Sequence, residues 1–415
     1  MSRRFVRCAF ALLLLVSVAA WGAPTRLDAL PPWATNQASV SGMEGVRYAV
    51  YRAGGMNLFL RDLEQTLRIL NREQAGTPIN YLSISGGGGR GAFGAGLLSG
   101  WTKHGTRPEF NMVTGVSTGA LMAPFAFLGS AYDPVLKRLY TGISDKDVVR
   151  KRSYVAIWLS DGLGDTSPLS NLIAETITPE FLQRVAYEYT VRHRWLLIGT
   201  SNLDTGQPVI WNMGKIAAYG TPEALALFRQ VMLASASLPG FFSPVMIDVV
   251  YEGRAYQEMH VDGGVSRQVF LYPASLFHES GADKMLEGRK REAYLIRNGV
   301  LTENSYETVP RKTLPIAKRA LQQFSQTHED GDTLMAYLTA QKDGFGFNMA
   351  YVPEGFTQIK PTSPFDQAYM QALFNQAEVL AARGYPWSKT PPGLNEAMST
   401  SLNRLREAVN GGTTR

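Results

Sequence analysis

Ser117 sits in the string Gly115-Val116-Ser117-Thr118-Gly119, where glycines flank a serine hydroxyl in a G-x-S-x-G arrangement. Between the end of a strand and the start of a helix, such a serine occupies a tight, strained turn with its hydroxyl above the sheet. The string alone is weak, since with 40 glycines among 415 residues about 0.3 copies are expected by chance. Upstream, Ser85-Gly86-Gly87-Gly88-Gly89-Arg90-Gly91 is far rarer, at roughly 0.004 chance occurrences. A backbone without Cβ atoms can approach a substrate, and N–H groups beside a helix start can point at an anion. Acyl transfer needs a nucleophile, a base for its proton and donors for the developing oxyanion. Ser117 offers the first. The N–H groups of Gly86, Gly87, Gly88 and Gly89 offer the third.

The base is less obvious. A Ser-His-Asp triad requires one of five histidines: His104, His193, His260, His278 or His328. His260 lies two residues before Asp262 on an expected strand, so the two point to one face. His278 follows Asp262 in the chain order Ser…Asp…His. None of the five sits in a glycine-rich loop. Asp262-Gly263-Gly264 presents an acid at a glycine turn.

The elements that must position these residues follow from periodicity. Residues 57–71 predict an amphipathic helix, with Leu60, Leu63, Leu67 and Leu70 at spacings of three and four. Residues 80–85 predict a short apolar strand running into the glycine run. Residues 91–104 then resume a helical pattern, with Phe93, Leu97, Leu98 and Trp101 on one side. A second strand, 111–115, enters the Ser117 turn, and 118–128 read as helix. Strand, glycine turn, helix, twice over, is the rhythm of a parallel α/β sheet. Both glycine elements then fall on the carboxyl edge, where α/β enzymes bind ligands.

Farther on, 195–200 predict a buried strand that Asp204-Thr205-Gly206 turns back into 208–213. Residues 222–235 read as a helix, and 245–250 with 254–261 as a hairpin around Glu252-Gly253. Residues 293–297 are the expected last core strand, with mostly helical chain beyond. There Ser363-Pro364 caps a helix bearing Phe365, Tyr369, Leu373, Ala377 and Leu380. No repeat or linker divides the chain. The expected organisation is a leader (1–22), an N-terminal lead and helix (23–78), one sheet-centred domain (79–300) and a helical C-terminal extension (301–415).

With 415 residues, 45% hydrophobic and 18% charged, a disordered chain, a disulfide-stapled mini-protein and a coiled coil are all excluded. Cys8 is the only cysteine, which excludes an internal disulfide and a multi-cysteine metal site. Arg3, Arg4 and Arg7 precede an acid-free apolar run over 9–20 that ends near Ala20-Trp21-Gly22, the pattern of a cleaved secretory signal. As an uncleaved anchor the run is short for about 30 Å of hydrocarbon. The expected location is therefore the periplasm, the outer membrane or the medium, where lipids, glycans and peptides are met and ATP or NAD is scarce. Loss of residues 1–22 removes three Arg and no acid, taking the net charge from +6 to +3. That is too mild to argue for a nucleic-acid partner.

Taken in order, the glycine run over 86–91, the serine string over 115–119 and Asp262-Gly263-Gly264 resemble the patatin-like phospholipase family. Residues 234–244 (ASASLPGFFSP) are similar to the family's segment between serine and aspartate. The resemblance covers residues 79–273, and 347–356 with 384–393 fit a bacterial version of the C-terminal region. It implies a three-layer α/β/α fold with a central, mostly parallel sheet. It also implies a Ser–Asp dyad with no histidine, in which Ser117 is the nucleophile and Asp262 the general base. Gly86, Gly87, Gly88 and Gly89 would form the oxyanion hole, Arg90 would steady the loop or meet an acidic headgroup, and Gly91, Gly115, Gly119, Gly263 and Gly264 would support the turns. A lipid or phospholipid ester is the implied substrate, cleaved through an acyl-enzyme without metal or cofactor. Two departures stand out: Ser85 where an aspartate often precedes the glycines, and Val265-Ser266-Arg267-Gln268 where asparagine and proline are common.

Three other readings compete. Gly86, Gly88 and Gly91 satisfy the dinucleotide fingerprint G-x-G-x-x-G, but Glu109, the acid at suitable spacing, precedes the second strand instead of ending it. A Ser-His-Asp esterase would use His278 or His260. A non-catalytic lipid-binding relative would keep the motifs as scaffold. Arg150-Lys151-Arg152 and Arg289-Lys290-Arg291 offer peripheral contact with anionic membrane headgroups, or are solvated loops. Phe125, Phe127, Phe241 and Phe242 line an acyl channel or fill the core.

Overall fold

The computed structural model describes residues 26–51, 54–151, 161–162, 164–273, 285–300, 308–353, 355–356, 359–391 and 394. The expected leader with Cys8, and also Arg152 and His278, lie outside the described residues.

Ten strands form one sheet. In chain order they begin with β1 (Ser39–Val40), β2 (Arg47–Tyr48), β3 (Ile79–Ile84) and β4 (Met112–Gly115). A separate two-stranded ribbon follows, β5 (Arg150–Lys151) with β6 (Gly164–Asp165). The sheet continues with β7 (Trp195–Asn202), β8 (Gln207–Asn212), β9 (Val245–Tyr251), β10 (Arg254–Asp262), β11 (Arg291–Val300) and β12 (Gly346–Val352). From the edge strand β12 inward, β12, β11, β3, β4 and β7 run parallel in that spatial order. Antiparallel strands complete the other end. The central strands are near-continuous apolar runs because both of their faces are covered.

Alternation along those strands feeds two cores. Leu82, Ile84, Leu196 and Ile198 face one side, under helices α2 (Gly91–His104), α3 (Thr118–Leu128), α4 (Pro222–Ser235) and α6 (Gln367–Ala382). Tyr81, Trp195 and Leu197 face the other, under α1 (Gly55–Glu73) and the inner end of α5 (Thr313–Lys342). Three layers result, as the resemblance implies. α2 and α6 pack so closely that a Cβ on Gly96 would stand 2.2 Å from the Phe374 carbonyl oxygen.

The described chain departs from expectation at three places. On α1, Phe59 is buried and Leu60 is not, so the inner stripe is Phe59, Leu63, Leu67 and Leu70. The C-terminal helix starts at Gln367, capped by the Asp366 carboxylate accepting from the Tyr369 N–H (3.1 Å), and not at Ser363-Pro364. Residues 293–297 are not the last core strand, because β12 adds a parallel edge beyond β11. A parallel pair needs a crossover connection, and α5 lies in it.

The register of β7 decides where the motifs meet. Its first half, 195–198, pairs with parallel β4, Gly115 lying opposite Ile198. Its second half, 200–202, pairs on the same ladder path with antiparallel β10, Asp262 lying opposite Thr200. The carboxyl ends of β4 and β10 therefore approach each other head-on across Gly199.

Candidate active site

Ser117 lies two residues beyond the end of β4. Its backbone is at φ 56°, ψ −126°, a left-handed conformation that costs a serine about 1–3 kcal/mol. The strain is held from both sides. The Ser117 N–H donates to Ser235 Oγ (3.0 Å), and the fully buried Ser235 hydroxyl donates to the Gly199 carbonyl (2.6 Å). The flanking glycines are required for space: a Cβ on Gly119 would lie 2.2 Å from the Ile84 carbonyl oxygen, and one on Gly115 would lie 2.4 Å from that of Gly119. Alanine at 119 gains about 1 kcal/mol of helix propensity, whereas backbone overpacking costs about 1–3 kcal/mol or more. We expect Gly119→Ala to be destabilised by about 2 kcal/mol or more in urea unfolding; an unchanged midpoint would contradict the close approach.

Gly86 faces the serine, where a Cβ would stand 3.3 Å from Ser117 Cβ. The loop then turns through Gly87 (φ 148°) and Gly88 (φ 56°) into a 3-10 turn, Gly88–Arg90, that leads into α2. The four glycines are not equivalent. The Gly86 N–H donates to the Gln268 carbonyl (3.2 Å), so its contribution is a bare Cα beside Ser117. Among the described residues the N–H groups of Gly87, Gly88 and Gly89 donate to no protein acceptor. Arg90 belongs to the turn, its N–H donating to the Gly87 carbonyl (3.1 Å).

Asp262 ends β10 with its carboxyl group buried. Burial pushes its pKa up to about 6, against the opposing pull of the nearby Ser117 hydroxyl and of the hydrogen bond from the Gly264 N–H. The Gly264 bond is 2.7 Å long. The site thus pairs a strained serine with a buried carboxylate whose basicity is raised, beside three unused amide donors. Such a set can accept a hydroxyl proton and stabilise an oxyanion.

His260 does not join them. Its Nδ1 lies 2.9 Å from Thr200 Oγ1 and its Nε2 3.2 Å from Glu258 Oε2, so both ring nitrogens are engaged elsewhere. Phe125 and Phe127 are core residues, Phe125 packing against Tyr132 and Phe181. Phe242 is buried and Phe241 exposed, on the segment whose Ser237 carbonyl accepts the Asp262 N–H. Arg289 is bound by the Thr77 carbonyl, Asn71 and Thr77 Oγ1, and Arg291 donates through one nitrogen to the Asp343 carbonyl.

Sequence reasoning missed the residues that brace the site. Ser235 is one, and no local signal marks it. Ser85 is another: its hydroxyl accepts from the Asn298 N–H (3.0 Å) and lies 2.8 Å from the Gly86 carbonyl and 2.9 Å from Glu329 Oε1 on α5. Gln268 bridges from the other side, donating through Nε2 to the Gly264 carbonyl (3.1 Å) and to Ser325 Oγ on α5 (3.0 Å).

Among known proteins, residues 82–275 match the model of the family described as patatin-like phospholipase. VipD from Legionella pneumophila is similar in solved structure at 11% identity and a TM-score of 0.35, over 74% of this chain and 67% of VipD. The type III effector protein ExoU is similar at 12% identity and a TM-score of 0.22, over 80% of this chain and 63% of ExoU. No curated protein sequence matches. The matched segment contains both glycine motifs and Asp262, on an α/β sheet, so residues 82–275 of this chain form a domain of the patatin-like phospholipase family, a family of lipid acyl hydrolases.

Proposed function

We propose that the protein is a serine lipid acyl hydrolase of the phospholipase A or lysophospholipase type, working through a Ser117–Asp262 dyad. The observation that carries this reading is the convergence of β4 and β10 on β7, which sets the strained Ser117 near the buried Asp262 carboxylate, whose pKa is raised to about 6. Asp262 accepts the hydroxyl proton as Ser117 Oγ attacks the ester carbonyl carbon. The oxyanion forms opposite the free N–H groups of Gly87, Gly88 and Gly89. Collapse expels the alcohol, which takes the proton back from Asp262 and leaves an acyl group on Ser117. Water, deprotonated by the same carboxylate, then hydrolyses that ester and restores both residues. No metal or cofactor enters these steps.

Asp262 must be ionised to accept the proton. The reading therefore expects kcat/KM for a soluble ester to rise tenfold per pH unit below about 6 and to level off above it. A profile flat from about pH 5 to about pH 8 would contradict it. The substrate class is tested by fatty-acid release from phospholipids labelled separately at sn-1 and sn-2. Release from either position supports a phospholipase. Cleavage of short esters with release from neither position refutes that label and leaves a general esterase.

A further inference from the structure

Along much of helix α5 polar side chains turn inward and large apolar ones outward, the reverse of an ordinary surface helix, and its C-terminal end buries the small Ala336 and Ala340 in the core. At about 100° per residue, Ile316, Leu321, Phe324, Leu334, Met335 and Leu338 fall within an arc of about 140°. They are 52, 57, 55, 39, 45 and 44% exposed. Scattered exposed hydrophobics are normal, but these six form one stripe along a helix of 30 residues, about 45 Å long. They are six of the nineteen large exposed hydrophobics among the described residues.

The opposite side of α5 faces the candidate site. Ser325 accepts from Gln268, Glu329 meets the Ser85 hydroxyl and buried Arg297, and Asp332 accepts from the Gln268 N–H (2.7 Å) and from Arg267 (2.7 Å). Gln268 in turn takes the Gly86 N–H. The outward stripe is thus two side chains from the oxyanion loop.

Charge selects the occupant. Residues 308–328 hold Arg311, Lys312, Lys318 and Arg319 and no acid, and Arg311 and Lys312 are exposed at the helix start. An apolar stripe with a basic end is the signature of a helix lying in the plane of an anionic membrane surface. No helix of the described residues is long and apolar enough to cross a membrane.

We propose that α5 docks the protein on an anionic lipid bilayer, its stripe seated at the boundary of headgroups and acyl chains and its basic end on the phosphates. The docked helix presents the Ser117 loop to lipid esters, a consequence that rests on the proposed function; the docking itself does not.

The experiment separates the two. The full chain carrying Ser117→Ala, which leaves lipid intact, is floated with vesicles of phosphatidylcholine alone or mixed with phosphatidylglycerol. It is expected to bind the mixed vesicles and to be released by high salt. Ile316→Glu with Phe324→Glu in the same background lowers the bound fraction about tenfold or more, since each side chain forfeits apolar burial and meets anionic lipid. Arg311→Glu with Lys312→Glu weakens binding to the mixed vesicles only. With Ser117 restored, the stripe variant loses hydrolysis of vesicle lipid by a similar factor and keeps that of a soluble short ester. Failure of the Ser117→Ala protein to bind mixed vesicles overturns the proposal, as does undiminished binding by the stripe variant with unchanged thermal melting. It is equally overturned if the parent is a dimer that the stripe substitutions dissolve, since a second copy then covers the helix. If the parent binds vesicles but cleaves no ester, docking stands and the hydrolase reading falls.

Discussion

Ser117→Ala and Asp262→Asn are each expected to lower ester hydrolysis by about 10⁴-fold or more, and the double variant to lie no lower than the worse single. The two groups act as one unit, so removing either already removes the step both serve. Asparagine is the informative replacement at 262, because its carbonyl still accepts the Gly264 N–H while losing the ability to take a proton. Initial rates on a soluble ester, normalised to folded protein, measure this. Retention of a tenth of the activity by Asp262→Asn would sink the dyad. His260→Gln keeps substantial activity per folded molecule, since both His260 ring nitrogens are held by Thr200 and Glu258. His260→Gln as inactive as Ser117→Ala would revive a histidine-based mechanism.

The second large effect is on stability and its sign depends on pH. Asp262 has a folded pKa of about 6 against an unfolded value of about 3.9. Between those values the folded state holds more protons, so stability falls as pH rises through that window. Above about 6 the buried carboxylate costs about 3 kcal/mol relative to a neutral group at the same place. Asp262→Asn removes the charge, so at about pH 8 it should be more stable than the parent by about 2–3 kcal/mol. The gain shrinks on acidification and is gone near pH 4, where Asp262 is neutral in both states. Urea melts across pH measure the difference directly. A variant less stable than the parent at about pH 8 would mean that the carboxylate is not desolvated as described. The inactive variant would then be the sturdier one only where the enzyme works, a trade expected where function demands a buried charge.

What was legible in the chain was local. Helices Gly91–His104, Thr118–Leu128 and Pro222–Ser235 follow from apolar spacing and from proline or glycine at their starts, signals confined to one or two turns. The hairpin around Glu252-Gly253 follows likewise, with both residues left-handed (φ 50° and 75°) as a tight two-residue turn requires. Errors fall where a long-range partner overrides the local pattern. Phe59 displaces Leu60 because the sheet face beneath α1 presents Tyr48 and Trp195, whose rings Phe59 meets edge-on at centroid distances of 5.0 and 5.4 Å. β12 was hidden among helices because an edge strand is chosen by its neighbour β11, not by periodicity. Phe125 and Phe127, beside the serine in sequence, are drawn away from it by the helix they ride.

The sequence by itself determined the chemistry on offer: a serine between glycines, a run of bare backbone before a helix, and an acid at a glycine turn. Each is a matter of steric freedom within a few residues, which local composition dictates. Only the tertiary structure decided that Ser117 and Asp262 come near each other, because that approach is set by strand register, β4 and β10 converging on opposite halves of β7. It also decided that α5 turns Glu329 and Ser325 toward the loop and Phe324 to solvent. A helical pattern specifies two faces; which of them is buried depends on what the sheet places opposite.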